Sequence, residues 1–94
     1  METYIYISTE QYAEKVNISS KELWEKSKKR HISLLRQIYW YHLSITGMKL
    51  INIAYLFNRK HSTVFYGINR IKGFIQIKEK SISQYLEAIN IFSH

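Results

Sequence analysis

The sequence contains no cysteine, no proline and no aspartate, and only three glycines. Without cysteine, the chain can form neither disulfides nor thiolate zinc sites, which fits a reducing compartment. Its histidines lack metal-ligand spacing. Motifs of nucleophilic catalysis and zinc proteolysis, and glycine-rich phosphate loops, are also missing. We therefore expect no enzyme, no metal site and no cofactor.

Long hydrophobic runs are absent too. The charge-free stretches are shorter than the roughly 20 residues of a spanning helix, and the first residues lack the pattern of a signal peptide. With 94 residues, of which 46% are hydrophobic and 15% aromatic, the chain is expected to fold as one cytoplasmic domain covering residues 1–94. The structure of residues 1–7 is left open, and Met1 so close to the first helix favours a domain that stands alone.

Negative charge is missing from the middle of the sequence. Residues 26–78 contain eleven lysines and arginines and no acidic residue, a charge of +11, whereas the flanks together carry −4. Charge separated in this way repels itself unless a polyanion or solvent compensates it. Nucleic acid is the first candidate partner, and an anionic membrane surface is the second.

Serine followed by Glu or Gln three residues later marks three helix starts, at Ser8, Ser19 and Ser81. They predict helices of about 9–17, 20–27 and 82–92. Apolar spacing predicts three further helices, over 33–46, 49–57 and 61–78. The expected fold is therefore all-α, a compact domain of about six helices.

Two of these predicted helices, 49–57 and 61–78, are joined by a short polar and basic turn. This arrangement is typical of a helix-turn-helix, whose second helix presents its N-terminal residues to the major groove of DNA. If Val64 and Ile68 face the core, Phe65, Tyr66 and Asn69 lie on or near the opposite face of the second helix. A basic segment, residues 26–31, is predicted to form a loop and a second DNA contact.

The stretch Arg59-Lys60-His61-Ser62-Thr63-Val64 resembles the Arg-Asp-His-Thr-Thr-Val signature of the C-terminal DNA-binding domain of the bacterial replication initiator DnaA. Further landmarks of that family match in order: Val16-Asn17-Ile18 with Leu23, the run Lys26 to Arg30, and Arg36-Gln37. The resemblance covers about residues 10–78. It implies the helix-turn-helix fold of that family, which is similar to the Trp repressor.

The resemblance also implies roles for individual residues. Arg59, His61, Ser62 and Thr63 match positions that contact the major groove, and Arg30 matches an arginine that enters the adjacent minor groove. Lys28, Lys29 and Arg36 match positions that present charge to phosphates. With the exposed face of the second helix, the candidate DNA-binding residues are Lys28, Lys29, Arg30, Arg36, Arg59, Lys60, His61, Ser62, Thr63, Tyr66 and Asn69.

The sequence also departs from the family pattern. Lys60 replaces an aspartate that takes part in base recognition, so a donor stands where the family has an acceptor, and either a base or a phosphate could be its partner. Leu34-Leu35 replaces Arg-Pro, and Asn58 replaces a pair of glycines. The DNA sequence that is recognised therefore stays open, as does the oligomeric state.

These observations predict a sequence-specific double-stranded DNA-binding protein of the bacterial nucleoid that regulates replication or transcription. The alternative is a protein-interaction module that binds a replication or transcription partner without reading DNA. The apolar stretch Tyr4 to Ile7 favours that alternative weakly. Attachment to anionic lipid ranks last, because the apolar stripes are better explained as core.

Overall fold

A computed structural model describes residues 6–26, 29–78 and 80. These ranges contain five α-helices and no strand: α1 (Thr9–Lys15), α2 (Ser20–Trp24), α3 (Arg30–Ile45), α4 (Leu50–Leu56) and α5 (His61–Gln76). The predicted all-α class is thus confirmed. The predicted helix over 82–92 and its cap at Ser81 lie outside the described residues.

Helices α1 and α2 begin with the predicted serine caps. Ser8 Oγ accepts from the backbone N–H of Gln11 at 3.2 Å, and the Gln11 side chain accepts from the N–H of Ser8 at 3.0 Å. Ser19 and Glu22 repeat this arrangement. Each reciprocal pair satisfies two backbone donors that the start of a helix leaves without a partner. Both predicted starts are therefore confirmed.

Helices α1, α3 and α4 end with one geometry, a residue in the left-handed region of φ just after the last turn. Asn17 (φ 61°), Gly47 (φ 107°) and Asn58 (φ 51°) hold this position after α1, α3 and α4. In each case the next residue donates its N–H back across the turn, as Arg59 does to the Ala54 carbonyl at 2.9 Å. Asparagine tolerates this backbone better than most side chains do. It can therefore end α4 without a glycine.

Helix α3 is central and packs against α2, α4 and α5. Its buried side chains include Leu35, Ile38, Tyr39 and Leu43, which lie in one core with Val64, Ile68 and Ile71 of α5. Gly67 lies at the crossing of the two helices, because a Cβ there would come within 2.9 Å of the Trp40 ring. No helix in the described ranges combines the length and apolar composition that a membrane-spanning segment requires.

Two predicted boundaries are corrected. Helix α2 ends at Trp24 rather than 27, and α3 begins at Arg30 rather than 33. Arg30 and His31 of the basic segment thus form the first turn of α3 and not a loop. The hydrophobic stripe of α3 begins only at Ile32, which is buried. A polar first turn that precedes the first buried residue cannot be recognised from apolar spacing.

Candidate nucleic-acid interface

Helices α4 and α5 pack against each other and are joined by Phe57 to Lys60, which forms the predicted helix-turn-helix. Phe57, the first residue of this turn, is 2% exposed. Its ring stacks on Trp24 of α2, with ring centroids 4.4 Å apart, and meets the edge of Trp40 of α3 at 5.8 Å. Aromatic contacts with two other helices therefore fix the position of the turn.

Helix α5 presents a polar and aromatic face to solvent. Val64 and Ile68 point into the core, as the apolar spacing predicts, and the other predicted contact residues of this helix are exposed. These are His61, Ser62, Thr63, Tyr66 and Asn69. Phe65, 51% exposed, lies among them and contacts the Tyr66 ring. Hydroxyl, amide and imidazole groups suit base edges and phosphates, and an exposed aromatic ring suits a thymine methyl.

The start of α5 is electropositive. Lys60 holds the N-cap position, its side chain makes no capping hydrogen bond within the described part of the chain, and no acidic residue lies in the first turn. The backbone N–H groups of residues 61–63 have no partner within the helix, because the first turn of any α-helix leaves its donors free. Such a helix start attracts anions, and phosphate in particular.

The basic segment reaches this same region. Lys29 holds the N-cap position of α3 and Arg30 begins the helix, and both side chains are exposed. Lys28, a predicted phosphate contact, lies outside the described residues. Lys26 lines one open groove together with Asn58, Arg59, Lys60 and Thr63. The groove has a volume of ≈ 560 Å³. The structure thus places the start of the basic segment beside the turn and the first turn of α5.

Arg36 requires a correction. Sequence reasoning placed it among the residues that face phosphates, but it is only 4% exposed. Its guanidinium donates to three backbone carbonyls around the end of α2: Nε to Leu23 at 2.8 Å, and Nη2 to Glu22 at 3.1 Å and to Glu25. Burial, and then the nearby charge of Arg59, lower the pKa of Arg36. Arg36 is therefore an interior residue, and its hydrogen bonds hold the end of α2 immediately before the basic segment.

Arg59 also donates to the Glu25 carbonyl, which Arg36 already contacts. Its Nη1 donates to the carbonyl of Phe57 at 2.8 Å, and its Nη2 donates to the carbonyl of Glu25 at 2.9 Å. Partial burial lowers the pKa of Arg59, and the guanidinium keeps its charge at neutral pH. Arg59 thus joins the helix-turn-helix turn to the residue immediately before the basic segment. Side-chain types alone do not reveal this connection, because the acceptor is a backbone carbonyl.

Part of the apolar N-terminal stretch packs into the core. Ile7 is buried, its N–H donates to Nε2 of His42 at 3.0 Å, and its carbonyl accepts from the Tyr39 hydroxyl at 2.8 Å. The Tyr6 ring stacks beside His42, and its side chain stays half exposed. Residues 6 and 7 therefore dock on α3. Tyr4 and Ile5, the other residues that favoured a protein-interaction role, lie outside the described residues.

Comparison with known proteins identifies similar sequences. Residues 9–71 match the model of a family described as the bacterial dnaA protein helix-turn-helix. Two curated relatives, both named chromosomal replication initiator protein DnaA, from Tropheryma whipplei strains Twist and TW08/27, are each 32% identical over 72 residues. The match covers 76% of this chain and 15% of each relative, so the chain spans only a small part of their length. No solved structure matches significantly.

Proposed function

The chain belongs to the bacterial DnaA helix-turn-helix family, and from this membership we propose that it binds double-stranded DNA in a sequence-specific manner. Helix α5 lies in the major groove in this proposal. The basic segment contacts the adjacent minor groove and its phosphates. Helix-turn-helix domains commonly divide their DNA contacts in this way, with base readout by the second helix and further contacts to the backbone.

One observation carries the proposal: Lys26 and the residues from Asn58 to Lys60 line a single groove with Thr63. The start of the basic segment and the turn before α5, which were selected independently by charge and by helix pattern, therefore border the same groove. The surface of this groove contains three cations, and residues 26–78 contain no acidic residue to compensate them. A duplex laid across this surface would meet positive charge on both sides of the α5 start.

The roles of the exposed residues follow from their chemistry. His61, Ser62 and Thr63 lie in the first turn of α5 and contact base edges or phosphates, and Tyr66 and Asn69 continue the same face one and two turns later. Lys60 at the N-cap favours a phosphate or a guanine, because an ammonium only donates. In the basic segment, Lys28, Lys29 and Arg30 supply the remaining contacts with phosphates and the minor groove.

The physiological role that we propose is regulation of replication or transcription at the bacterial nucleoid. The two relatives are named as initiators of chromosome replication. This chain spans only the part of them that matches the helix-turn-helix family, and its sequence contains no glycine-rich loop for ATP. We therefore propose that this chain shares DNA recognition with the relatives, but not the ATP-driven part of initiation.

Titration of duplex DNA at several salt concentrations tests the proposal directly. Each phosphate contact releases counterions and adds about −0.9 to the slope of log K against log salt. We expect a slope of roughly −4 to −8, the sum of contacts from the basic segment and the start of α5. A flat response would rule out binding of this kind. If binding to a partner protein also survived nuclease treatment, the protein-interaction alternative would be favoured.

Two substitutions separate the two halves of the interface. Arg30→Ala and His61→Ala should each weaken binding to the preferred duplex by about 1 to 3 kcal/mol without unfolding the domain. Lys15→Ala serves as the control, because Lys15 is an exposed cation in the last turn of α1, outside the groove. Unchanged affinity in both test variants, or an equal loss in the control, would contradict the assigned roles.

A further inference from the structure

Two arginines converge on the backbone carbonyl of Glu25. Arg36 reaches it from α3, and Arg59 reaches it from the turn between α4 and α5. Each arginine also donates to at least one other carbonyl, Arg36 to those of Glu22 and Leu23 and Arg59 to that of Phe57. Glu25 immediately precedes the basic segment. The residue immediately before that segment is therefore hydrogen-bonded to two other parts of the fold.

The charges around this contact repel one another. The basic segment contains four lysines and arginines among six residues and no acidic residue, and Lys26 lines the same groove as Arg59 and Lys60. Like charges that line one groove repel one another. The Glu25 side chain relieves little of this, because it is half exposed and pairs with Lys21 at 3.6 Å. The hydrogen bonds to the Glu25 carbonyl oppose the displacement of Lys26 that this repulsion favours.

From this geometry we infer that Arg59 is a positioning residue for DNA binding: with Arg36, it holds Lys26, the first residue of the basic segment, at a fixed separation from the start of α5. The inference rests on the proposed function. It assigns Arg59 to act through the segment rather than only by direct contact with the major groove. A segment held in place before binding avoids the entropic cost of being ordered on the DNA.

The fork of the arginine is essential to this role. One guanidinium bridges the Phe57 and Glu25 carbonyls, on two different nitrogens. A lysine keeps the positive charge, but its single ammonium lacks the planar fork that reaches two acceptors at a fixed separation. Arg59→Lys should therefore preserve attraction to phosphate and remove the tether. A residue that only neutralised a phosphate would tolerate this change well.

A double-mutant cycle on DNA affinity tests the inference. In the wild-type background, Lys26→Ala should weaken duplex binding about tenfold at low salt, because one phosphate contact is lost. In the Arg59→Lys background, Lys26 is no longer held beside the start of α5, so the same substitution should cost less than about threefold. If Lys26→Ala costs tenfold in both backgrounds, the two residues act independently and the positioning role is refuted.

Lys60→Gln is the matched control for this cycle. Lys60 is adjacent to Arg59 in sequence, lines the same groove and carries the same charge, but it is not part of the contact with the Glu25 carbonyl. Its removal should reduce the magnitude of the salt slope by about 0.9 and leave the tenfold effect of Lys26→Ala intact. Loss of the Lys26 effect in this background as well would show that any nearby change uncouples the segment, which contradicts a specific tether.

A measurement without DNA keeps the inference separate from the proposed function. Because the chain has no cysteine, nitroxide labels can be attached at Lys26→Cys and Lys72→Cys, two exposed positions on the segment and on α5. Dipolar electron paramagnetic resonance should give a narrow distance distribution in the parent chain and a broader one with Arg59→Lys. Circular dichroism verifies that the helices are retained.

The two experiments together distinguish the failures. A distribution that broadens in a chain that binds no duplex would support the tether and refute the proposed function. A distribution that stays narrow in Arg59→Lys would refute the tether, whether or not DNA is bound. If Arg59→Lys fails to fold, Arg59→Gln in the same labelled chain takes its place, with the same expected broadening.

Discussion

Gly67 lies on the buried side of α5, where the helix crosses α3. A Cβ at this position would lie 2.9 Å from Cε3 of Trp40 and 3.0 Å from Cγ of Gln37. The Trp40 ring is buried and packs against Phe57, so it has little freedom to move. The glycine thus permits the close crossing that fixes α5 against the centre of the fold, at the expense of helix propensity.

Gly67→Ala and Gly73→Ala form a matched pair that tests this role. A Cβ at Gly73 has nothing within 4 Å, so Gly73→Ala should raise the free energy of unfolding by about 0.5–1 kcal/mol. At Gly67, overpacking of about 1–3 kcal/mol opposes that gain, and the variant should be at least about 1 kcal/mol less stable than Gly73→Ala. Chemical denaturation measures both. Equal stabilisation by the two changes would refute the close crossing.

His42 is fully buried, and its Nε2 accepts from the N–H of Ile7. Its Nδ1 is buried without a hydrogen-bond partner among the described residues. Burial lowers the pKa of His42 from 6.5 to about 4. The neutral ring therefore belongs to the folded state. Between these two values the unfolded chain binds the proton more readily, so the fold loses stability as the pH falls.

The predicted loss from His42 is as large as about 3 kcal/mol between pH 7 and pH 4. His42→Gln keeps an acceptor for the Ile7 N–H and cannot titrate, so its stability should fall by correspondingly less over this interval. Denaturation at several pH values compares the two chains. His61→Gln, which alters an exposed histidine, should keep the full loss. An identical pH dependence in His42→Gln and the parent chain would contradict the assignment.

At the scale of helices, the five described helices begin in two different ways. Helices α1 and α2 begin with serine capping boxes and have a glutamate in the first turn, whereas α3, α4 and α5 begin with Lys29, Lys49 and Lys60 and have none. A lysine at the positive end of a helix dipole is unfavourable for stability. At α5, the function that we propose gives a reason for it, because the same charge attracts phosphate.

Lys60→Ser should reveal this conflict between stability and binding. The backbone of Lys60 (φ −69°, ψ 148°) is close to that of the capping serine Ser19 (φ −83°, ψ 149°). A serine there can cap α5 and should raise the free energy of unfolding by about 1 kcal/mol. The same change should weaken duplex binding and make it less dependent on salt. Denaturation and DNA titration of one protein sample measure both, and tighter binding would contradict the role of Lys60.

The helices were predictable to the extent that local chemistry determines them. Serine caps and apolar spacing located all five described helices. The first turn of α3 was missed because it contains Arg30 and His31, polar residues without a capping side chain. Local signals therefore identify helices well and place uncapped helix starts poorly.

The buried position of Arg36 could have been predicted from the helical spacing of the sequence. It lies four residues after Ile32 and four before Trp40, both buried, so helical spacing places it on the core face of α3. Its positive charge and the family resemblance suggested phosphate instead. The exposed face of α5 was predicted correctly, because Val64 and Ile68 determine which side faces the core. The contact of Arg59 with Glu25 could not be predicted, since it depends on tertiary placement across 34 residues.

At the scale of the whole molecule, the central claim is that the basic segment and the start of α5 form one surface for duplex DNA. Lys26 and Thr63 belong to the same groove, and the helix-turn-helix places the exposed face of α5 beside it. A second, smaller groove on α1, lined by Gln11, Glu14 and Lys15, has a carboxylate and provides an internal comparison. A polyanion should avoid it.

Nuclear magnetic resonance titration of the isotopically labelled protein with an unlabelled duplex tests this claim most directly. The account predicts that backbone amide signals of Lys26, Lys29 and Arg30 shift together with those of residues 59–63, along one binding curve. Signals of Gln11, Glu14 and Lys15 should stay in place. Shifts confined to only one of the two regions, or centred on the α1 groove, would contradict the account.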